Sequence, residues 1–271
     1  MSTIAPDFAK LKSGMKATWM SGDFGQIAAY SAAEAANFIA RLGIQPGSKV
    51  LDIACGTGNT AIPAARTGAS VTGVDIATNL LGQARKRAAA ERLEIGFDEG
   101  DAEELPYDNG SFDVVLSMFG AMFAPRPEKV TAELIRVCRP GGVIAMANWT
   151  PEGFVGKSLQ LSSRFAPPSP LPPPVLWGDE SVVRQRLGQG TSRVTCTRQN
   201  VRFVYPFTPK ETVEFFRRYF GPTQMAFSRL EPKAQAEFAR LLEAQWTEHN
   251  VASDGTTVVD AEYLDVRAIR A

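Results

Sequence analysis

Val50-Leu51-Asp52-Ile53-Ala54-Cys55-Gly56-Thr57-Gly58-Asn59 is the stretch that decides the fold. Valine, leucine and isoleucine side by side suit a strand covered on both faces, and predict one over Lys49 to Ala54. Gly56 and Gly58 then permit a tight turn and a close approach of backbone to ligand. The small, polar Asn59-Thr60-Ala61 run opens a helix whose first N–H groups have no intrahelical partner and face the turn. Strand, glycine turn and helix at this spacing describe a nucleotide-type cofactor site.

Working outward, the same alternation continues. A helix is predicted over Ala61 to Arg66, and a second strand over Ala69 to Val74, ending in Asp75. Thr78 is expected to cap a helix whose Leu80, Leu81, Ala84 and Ala88 share one face. Glu94 to Phe97 and Phe112 to Met118 read as the third and fourth strands. A helix carrying Val130, Leu134 and Val137 is expected to stop at Arg139-Pro140-Gly141-Gly142, before a fifth strand from Val143 to Trp149. Strands alternating with helices imply right-handed crossovers, hence an α/β, Rossmann-like, mostly parallel sheet with helices on both faces. Beyond Trp149 come a proline-rich run (Pro167 to Pro174), read as a stiff spacer, and a strand from Arg193 to Tyr205 whose alternation is interrupted near Gln199-Asn200. A Thr208-capped helix, a longer helix from Glu231 to His249 and a last strand from Thr256 to Ile269 complete the reading. The two late strands suggest an antiparallel C-terminal edge, the helices a cover. The expected division is an N-terminal helical cap segment (1–47), a cofactor-binding core (48–150) and a cover with edge strands (151–271), within one continuous domain.

Composition narrows the function. Of 271 residues, 29 are basic and 29 acidic, so no net field favours nucleic acid. No apolar run approaches the ~20 residues needed to span a bilayer, and Met1 to Asp7 shows no secretory pattern. Cys55, Cys138 and Cys196 suggest neither a disulfide framework nor a metal ligand set. A reducing cytoplasm is the expected location.

The glycine turn alone also satisfies a loose G-x-G-x-x-A dinucleotide fingerprint, so NAD-dependent oxidoreduction stands as an alternative. Asp75, at a strand end, suits a ribose in either case. Asp52 inside the motif favours a cationic or amine-bearing ligand, Gly100-Asp101-Ala102-Glu103 adds a second acidic edge, and a second mononucleotide half is missing. In order, V-L-D-I-A-C-G-T-G, V-T-G-V-D, G-D-A-E-E-L-P-Y, S-F-D-V-V-L-S and R-V-C-R-P-G-G resemble class I S-adenosylmethionine-dependent methyltransferases. The resemblance spans Val50 to Trp149 and is greatest to the small-molecule branch that includes quinone-biosynthesis methyltransferases. It implies S-adenosylmethionine as cofactor. Asp52, the Ala54 carbonyl, Gly56 and Gly58 would then contact the aminocarboxypropyl group, and Asp75 the ribose. Ile76 would pack on adenine, Asp101 with the Ala102 N–H would read its edge, and Ser117, placed after the fourth strand, would offer its carbonyl to the amine. Ala54 departs from the family's usual glycine and should shift the loop slightly. Glu103 stands equally well as a solvated loop acid, and Cys55 as a small space-filler.

An activated methyl donor leaves the protein mainly an alignment task, so the acceptor is read from the pocket walls. Phe24, Phe119, Met122, Phe123 and Trp149 are the candidates to line it, with Trp19 and Met20 closing over the cofactor. His249 and Tyr219 are weak base candidates, with Tyr30 and Tyr263 beside them; each reads more simply as structural. The expected activity is methyl transfer to O, N or C of a small, apolar or aromatic molecule. A non-catalytic, cofactor-binding partner protein is the remaining alternative.

Overall fold

The computed structural model describes residues 7–271; the expectations for Met1 to Pro6 lie outside the described residues. Seven strands form one sheet: β1 (Lys49–Ile53), β2 (Ser70–Asp75), β3 (Ile95–Glu99), β4 (Phe112–Met118), β5 (Cys138–Trp149), β6 (Thr191–Tyr205) and β7 (Thr257–Arg270). Their order across the sheet is β3-β2-β1-β4-β5-β7-β6. Strands β1 to β5 pair in parallel, and β7 runs antiparallel between β5 and β6. This is the mostly parallel, Rossmann-like sheet the apolar runs implied. Val50, Leu51 and Ile53 of central β1 are buried, as expected of a strand with neighbours and helices on every side.

The helices after β1, β2 and β4 are Ala61–Arg66, Thr78–Ala90 and Pro127–Val137. The Thr78–Ala90 helix turns Leu80, Leu81, Ala84 and Ala88 inward, and the Pro127–Val137 helix turns Val130, Leu134 and Val137 inward. N-terminal helices Phe8–Met20, Phe24–Ala28 and Ala32–Leu42 precede the sheet. The cover contains helix Pro209–Tyr219, where Thr208 and Glu211 form a reciprocal capping box, and helix Pro232–His249.

Two local expectations are corrected. Thr78 is the first helical residue rather than its cap; Ala77 takes the cap position, and the Thr78 hydroxyl faces the Met20 sulfur at 3.9 Å. Arg139-Pro140-Gly141-Gly142 is not a loop but the bulged entry to β5. Between the Phe112–Cys138 and Val114–Val143 pairs the register shifts, absorbed by Gly141 at φ 72°. The pairing of β6 with β7 runs unbroken past Gln199 and Asn200, while the sheltered positions pass there from Val194 and Cys196 to Gln199, Val201 and Phe203. Helices Phe154–Ser163, Glu180–Leu187 and Gly221–Ser228 had no sequence expectation. The proline run is exposed and ends in a tight turn, Pro174–Gly178, that buries Trp177 under the Arg186 guanidinium.

Candidate cofactor and acceptor site

The sheet order reverses direction between β1 and β4, and ligands of open α/β sheets bind outside the carboxyl ends of strands at such a point. Two left-handed turns meet there. Ala54 follows β1 at φ 55° and Phe119 follows β4 at φ 59°. Both are non-glycine residues in a conformation that L side chains seldom adopt, stored strain of the kind found at functional sites. Gly120 lets them approach: a Cβ on it would stand 2.6 Å from the Ala54 Cβ. The loop continues through Gly56 at φ 52° and Gly58 at φ 81°.

Asp75 closes the loop from β2. Its carboxylate accepts the Gly56 N–H at 2.8 Å on one oxygen and the Ala77 N–H at 2.8 Å on the other. Burial pushes its pKa up, while the Ala77, Gly56 and Ile76 N–H groups hold it down. Two backbone bonds leave lone pairs on the carboxylate for further donors. Asp52 lies one layer deeper. It is 1% exposed, one oxygen accepts the Thr60 hydroxyl at 2.6 Å, and the other has no partner. Burial pushes its pKa up to about 7, against the Thr60 and Ala61 hydrogen bonds and aided by the nearby negative Asp75. An orphaned carboxylate oxygen under the loop suits a positively charged ligand above it. Burial also raises the Cys55 thiol well above its ordinary pKa, so Cys55 is a neutral space-filler.

A cavity of about 710 Å³ occupies this edge. Of the residues expected to hold the cofactor, Ala54, Gly56, Asp75, Ile76, Asp101 and Ala102 line it; so do Phe24, Phe119 and Phe123 from the acceptor set. Asp52 and Gly58 do not reach its surface. Ser117 does not line it either: it lies inside β4, 1% exposed, where its hydroxyl donates to the Ile53 carbonyl at 2.7 Å and accepts the Ala121 N–H at 3.0 Å. Met118, Phe119 and Gly120 present that part of the wall instead. Met122 is buried behind the wall, and Trp149 stacks on the outer face of Phe119 with ring centres 3.6 Å apart and planes at 8°. Both therefore support the wall rather than line it.

The base candidates lie elsewhere. The His249 ring ends helix Pro232–His249, with Nδ1 3.0 Å from the Gln245 carbonyl and Phe154 beside it. Tyr219 packs on Phe215 in the cover. Buried Tyr263 donates its hydroxyl to Glu34 and accepts from Arg41, both at 2.6 Å, and Tyr30 stacks against Tyr205. None of the four lines the cavity. Met20 is also outside it, at the exposed end of its helix, whereas Trp19 lines it and meets Phe24, Phe123 and Phe220 edge to face.

Beyond Trp19, sequence reading missed the contribution of the first helix. Lys12, Met15, Lys16 and Trp19 form one face at three- and four-residue spacing, a signal available in the sequence. Lys12 bridges Asp101 and Glu103, each at 2.5 Å. Glu103 is no solvated loop acid: its side chain is wholly buried and also takes the Arg126 guanidinium and the Arg126 N–H. Thr57, Asn59, Thr60, Ser31 and Ala35 complete the lining between loop and acceptor wall.

Comparison with known proteins agrees with this geometry. Residues 50–142 match the family described as methyltransferase domain. The uncharacterized protein Rv1403c of Mycobacterium tuberculosis is 39% identical over 91% of this chain and 90% of its own. A demethylmenaquinone methyltransferase of Renibacterium salmoninarum is 37% identical over 42% of this chain and 46% of that one. Among solved structures, a Haemonchus contortus phosphoethanolamine N-methyltransferase holding S-adenosylhomocysteine superposes with a TM-score of 0.54 at 21% identity, over 88% of this chain and 52% of that one. With the glycine loop, the acid at the end of β2 and the switch-point cavity in place, the chain belongs to the S-adenosylmethionine-dependent methyltransferases.

Proposed function

We propose that the protein methylates a small, apolar or aromatic acceptor seated against Phe119, Phe123, Phe24 and Trp19. One observation carries this reading: the polar floor formed by Gly56, Asp75 and Asp101 and the aromatic wall open into the same cavity. When bound, S-adenosylmethionine supplies an electrophilic methyl on a positive sulfur. The Gly56 loop would cradle its amino-acid end, with the buried Asp52 carboxylate supplying compensating charge from below. Asp75 would accept from the ribose through its free lone pairs, while Ile76, Asp101 and Ala102 would surround the base.

Holding both reactants in line accounts for much of such a rate enhancement, several kcal/mol when reacting atoms are kept about 3–3.5 Å apart. The aromatic wall excludes water and orients the acceptor. Among the described residues no histidine or tyrosine lines the cavity. An acceptor that attacks at O, N or C without giving a proton to an imidazole or phenol fits this lining. Balanced charge argues against nucleic acid as acceptor. Among the described residues no helix is long and apolar enough to cross a membrane, and three unpaired cysteines fit a reducing cytoplasm.

Titration calorimetry with S-adenosylhomocysteine tests the cofactor half, with Asp75→Ala expected to lose most of the affinity. Unchanged binding in that variant refutes the ribose role, and tight NADH binding in its place would restore the oxidoreductase reading. Incubating cell extract with methyl-labelled cofactor and identifying products by mass tests the acceptor half; a labelled polymer would overturn it.

A further inference from the structure

Helix Thr78–Ala90 carries a polar stripe that flanks the face of its buried leucines. Asn79, Gln83 and Arg87 are spaced four residues apart, so they lie one above another along the helix. Each fastens a different piece of the site. The Asn79 amide donates to the Met20 carbonyl at 3.2 Å, at the end of the first helix. The Gln83 amide donates to Asp23 Oδ1 at 2.9 Å, the oxygen that also caps helix Phe24–Ala28 through the Gly25 N–H. One Arg87 nitrogen donates to the Thr57 carbonyl at 2.6 Å and to Asn59 Oδ1 at 2.8 Å, in the glycine loop. Asn59 in turn donates to the Ala28 carbonyl at 2.7 Å, tying loop and acceptor wall directly.

Two details show that this arrangement is built in. A Cβ on Gly25 would overlap the Gln83 side-chain oxygen, so any other residue there would have to displace the end of that side chain. Arg87 has no carboxylate within ion-pair distance among the described residues; Glu91, on the next turn, is taken by Arg66. An arginine that spends its donors on a loop carbonyl holds that carbonyl outward, leaving the loop's interior edge to its N–H groups. The cover joins from the other side, where the Asp23 N–H donates to the Tyr219 carbonyl at 2.9 Å.

We propose that Asn79, Gln83 and Arg87 are positioning residues that lock the acceptor wall (Trp19 and Phe24) to the cofactor loop, so that filling the loop tightens the N-terminal segment. This rests on the cofactor reading above. Methyl transfer needs the acceptor held relative to a methyl whose place is set by the loop, and this stripe touches both.

Hydrogen-exchange mass spectrometry on the full chain, with and without S-adenosylhomocysteine, tests it. In the wild type the ligand should slow exchange in residues 8–28 as well as in the loop, by roughly tenfold or more. Gln83→Leu, which leaves every loop contact intact, should bind the ligand within about threefold of wild type yet lose the protection of residues 8–28. Arg87→Met should weaken binding by roughly tenfold and lose the same protection, and Arg87→Lys should recover part of both. Exchange without ligand should already be faster at residues 20–28 in the Gln83 variant, a readout that needs no ligand. Protection of residues 8–28 persisting undiminished in both Gln83→Leu and Arg87→Met would overturn the proposal. Failure of the wild type to bind S-adenosylhomocysteine would instead overturn the cofactor assignment on which it stands.

Discussion

Replacing Asp52 with asparagine should make the ligand-free protein more stable at pH 8 and less stable at pH 4. In the folded chain this carboxyl is 1% exposed, with one oxygen unpartnered, and its pKa rises from 3.8 to about 7. A raised acid pKa contributes stability that is fully present below the unfolded value and lost as pH rises through the folded one. The loss therefore runs from about pH 4 to pH 7 and amounts to about 4 kcal/mol, at 1.36 kcal/mol per pH unit. Asparagine keeps an acceptor for the Thr60 hydroxyl but puts an amide N–H₂ where the orphan oxygen sits, a pH-independent cost of about 1–3 kcal/mol. The difference curve, variant minus wild type, should start negative near pH 4, climb through zero and level off positive above pH 7. Urea denaturation at half-unit pH steps measures it, since titrating groups that do not interact with Asp52 cancel in the difference. A flat difference curve between pH 4 and pH 7.5 would refute the reasoning. The same variant should bind S-adenosylhomocysteine more weakly at pH 8, because the charge that costs stability is the one the ligand's ammonium group would use.

Glu103→Gln removes the charge from a wholly buried side chain that answers both Lys12 and Arg126, and should cost about 3 kcal/mol in urea unfolding; a loss within error of zero would mean the cluster is solvated. Gly120→Ala forces a Cβ within 2.7 Å of the Ala54 carbonyl oxygen, so the two left-handed turns must part, costing about 1–3 kcal/mol by thermal melting. An unchanged melting temperature would show that the turns separate freely. Phe119→Leu breaks the stack on Trp149 and should forfeit about 0.5–1.5 kcal/mol and alter the tryptophan near-ultraviolet dichroism; an unchanged spectrum would count against a rigid wall.

Local patterns were the legible part. Central β1, the glycine turn and fully apolar β4 each carry their signal within a few residues, and the acid closing β2 follows from where that strand stops. The site was less legible where long-range pairing sets which way a side chain faces. Ser117 is paired with Met146 inside the sheet, and a single residue along a strand reverses the face presented. That step puts Met118 on the cavity and Ser117 behind it. Glu103 read as a loop acid because its partners, Lys12 and Arg126, come from distant segments. Arg139-Pro140-Gly141-Gly142 reads as a helix stop in isolation, and becomes a bulge only because β4 offers it a partner. Helices Phe154–Ser163 and Gly221–Ser228 are short and lack side-chain caps, so neither announces itself.

The sheet order also has a bearing on how the chain is made. β6 pairs with nothing but β7, and β7 is the strand that joins it to β5. During synthesis, β1 to β5 can assemble as soon as they leave the ribosome, whereas β6 emerges with no edge to join and must wait some fifty residues for β7. A strand of fifteen residues held in reserve is exposed to wrong pairings in that interval. Its outward arginines at 193, 198 and 202 suit that interval, since charges along an unpaired strand discourage edge-to-edge association. Slowed translation across residues 206–256 would lengthen the wait, so recoding that segment with rare codons is where recoverable yield should prove most sensitive.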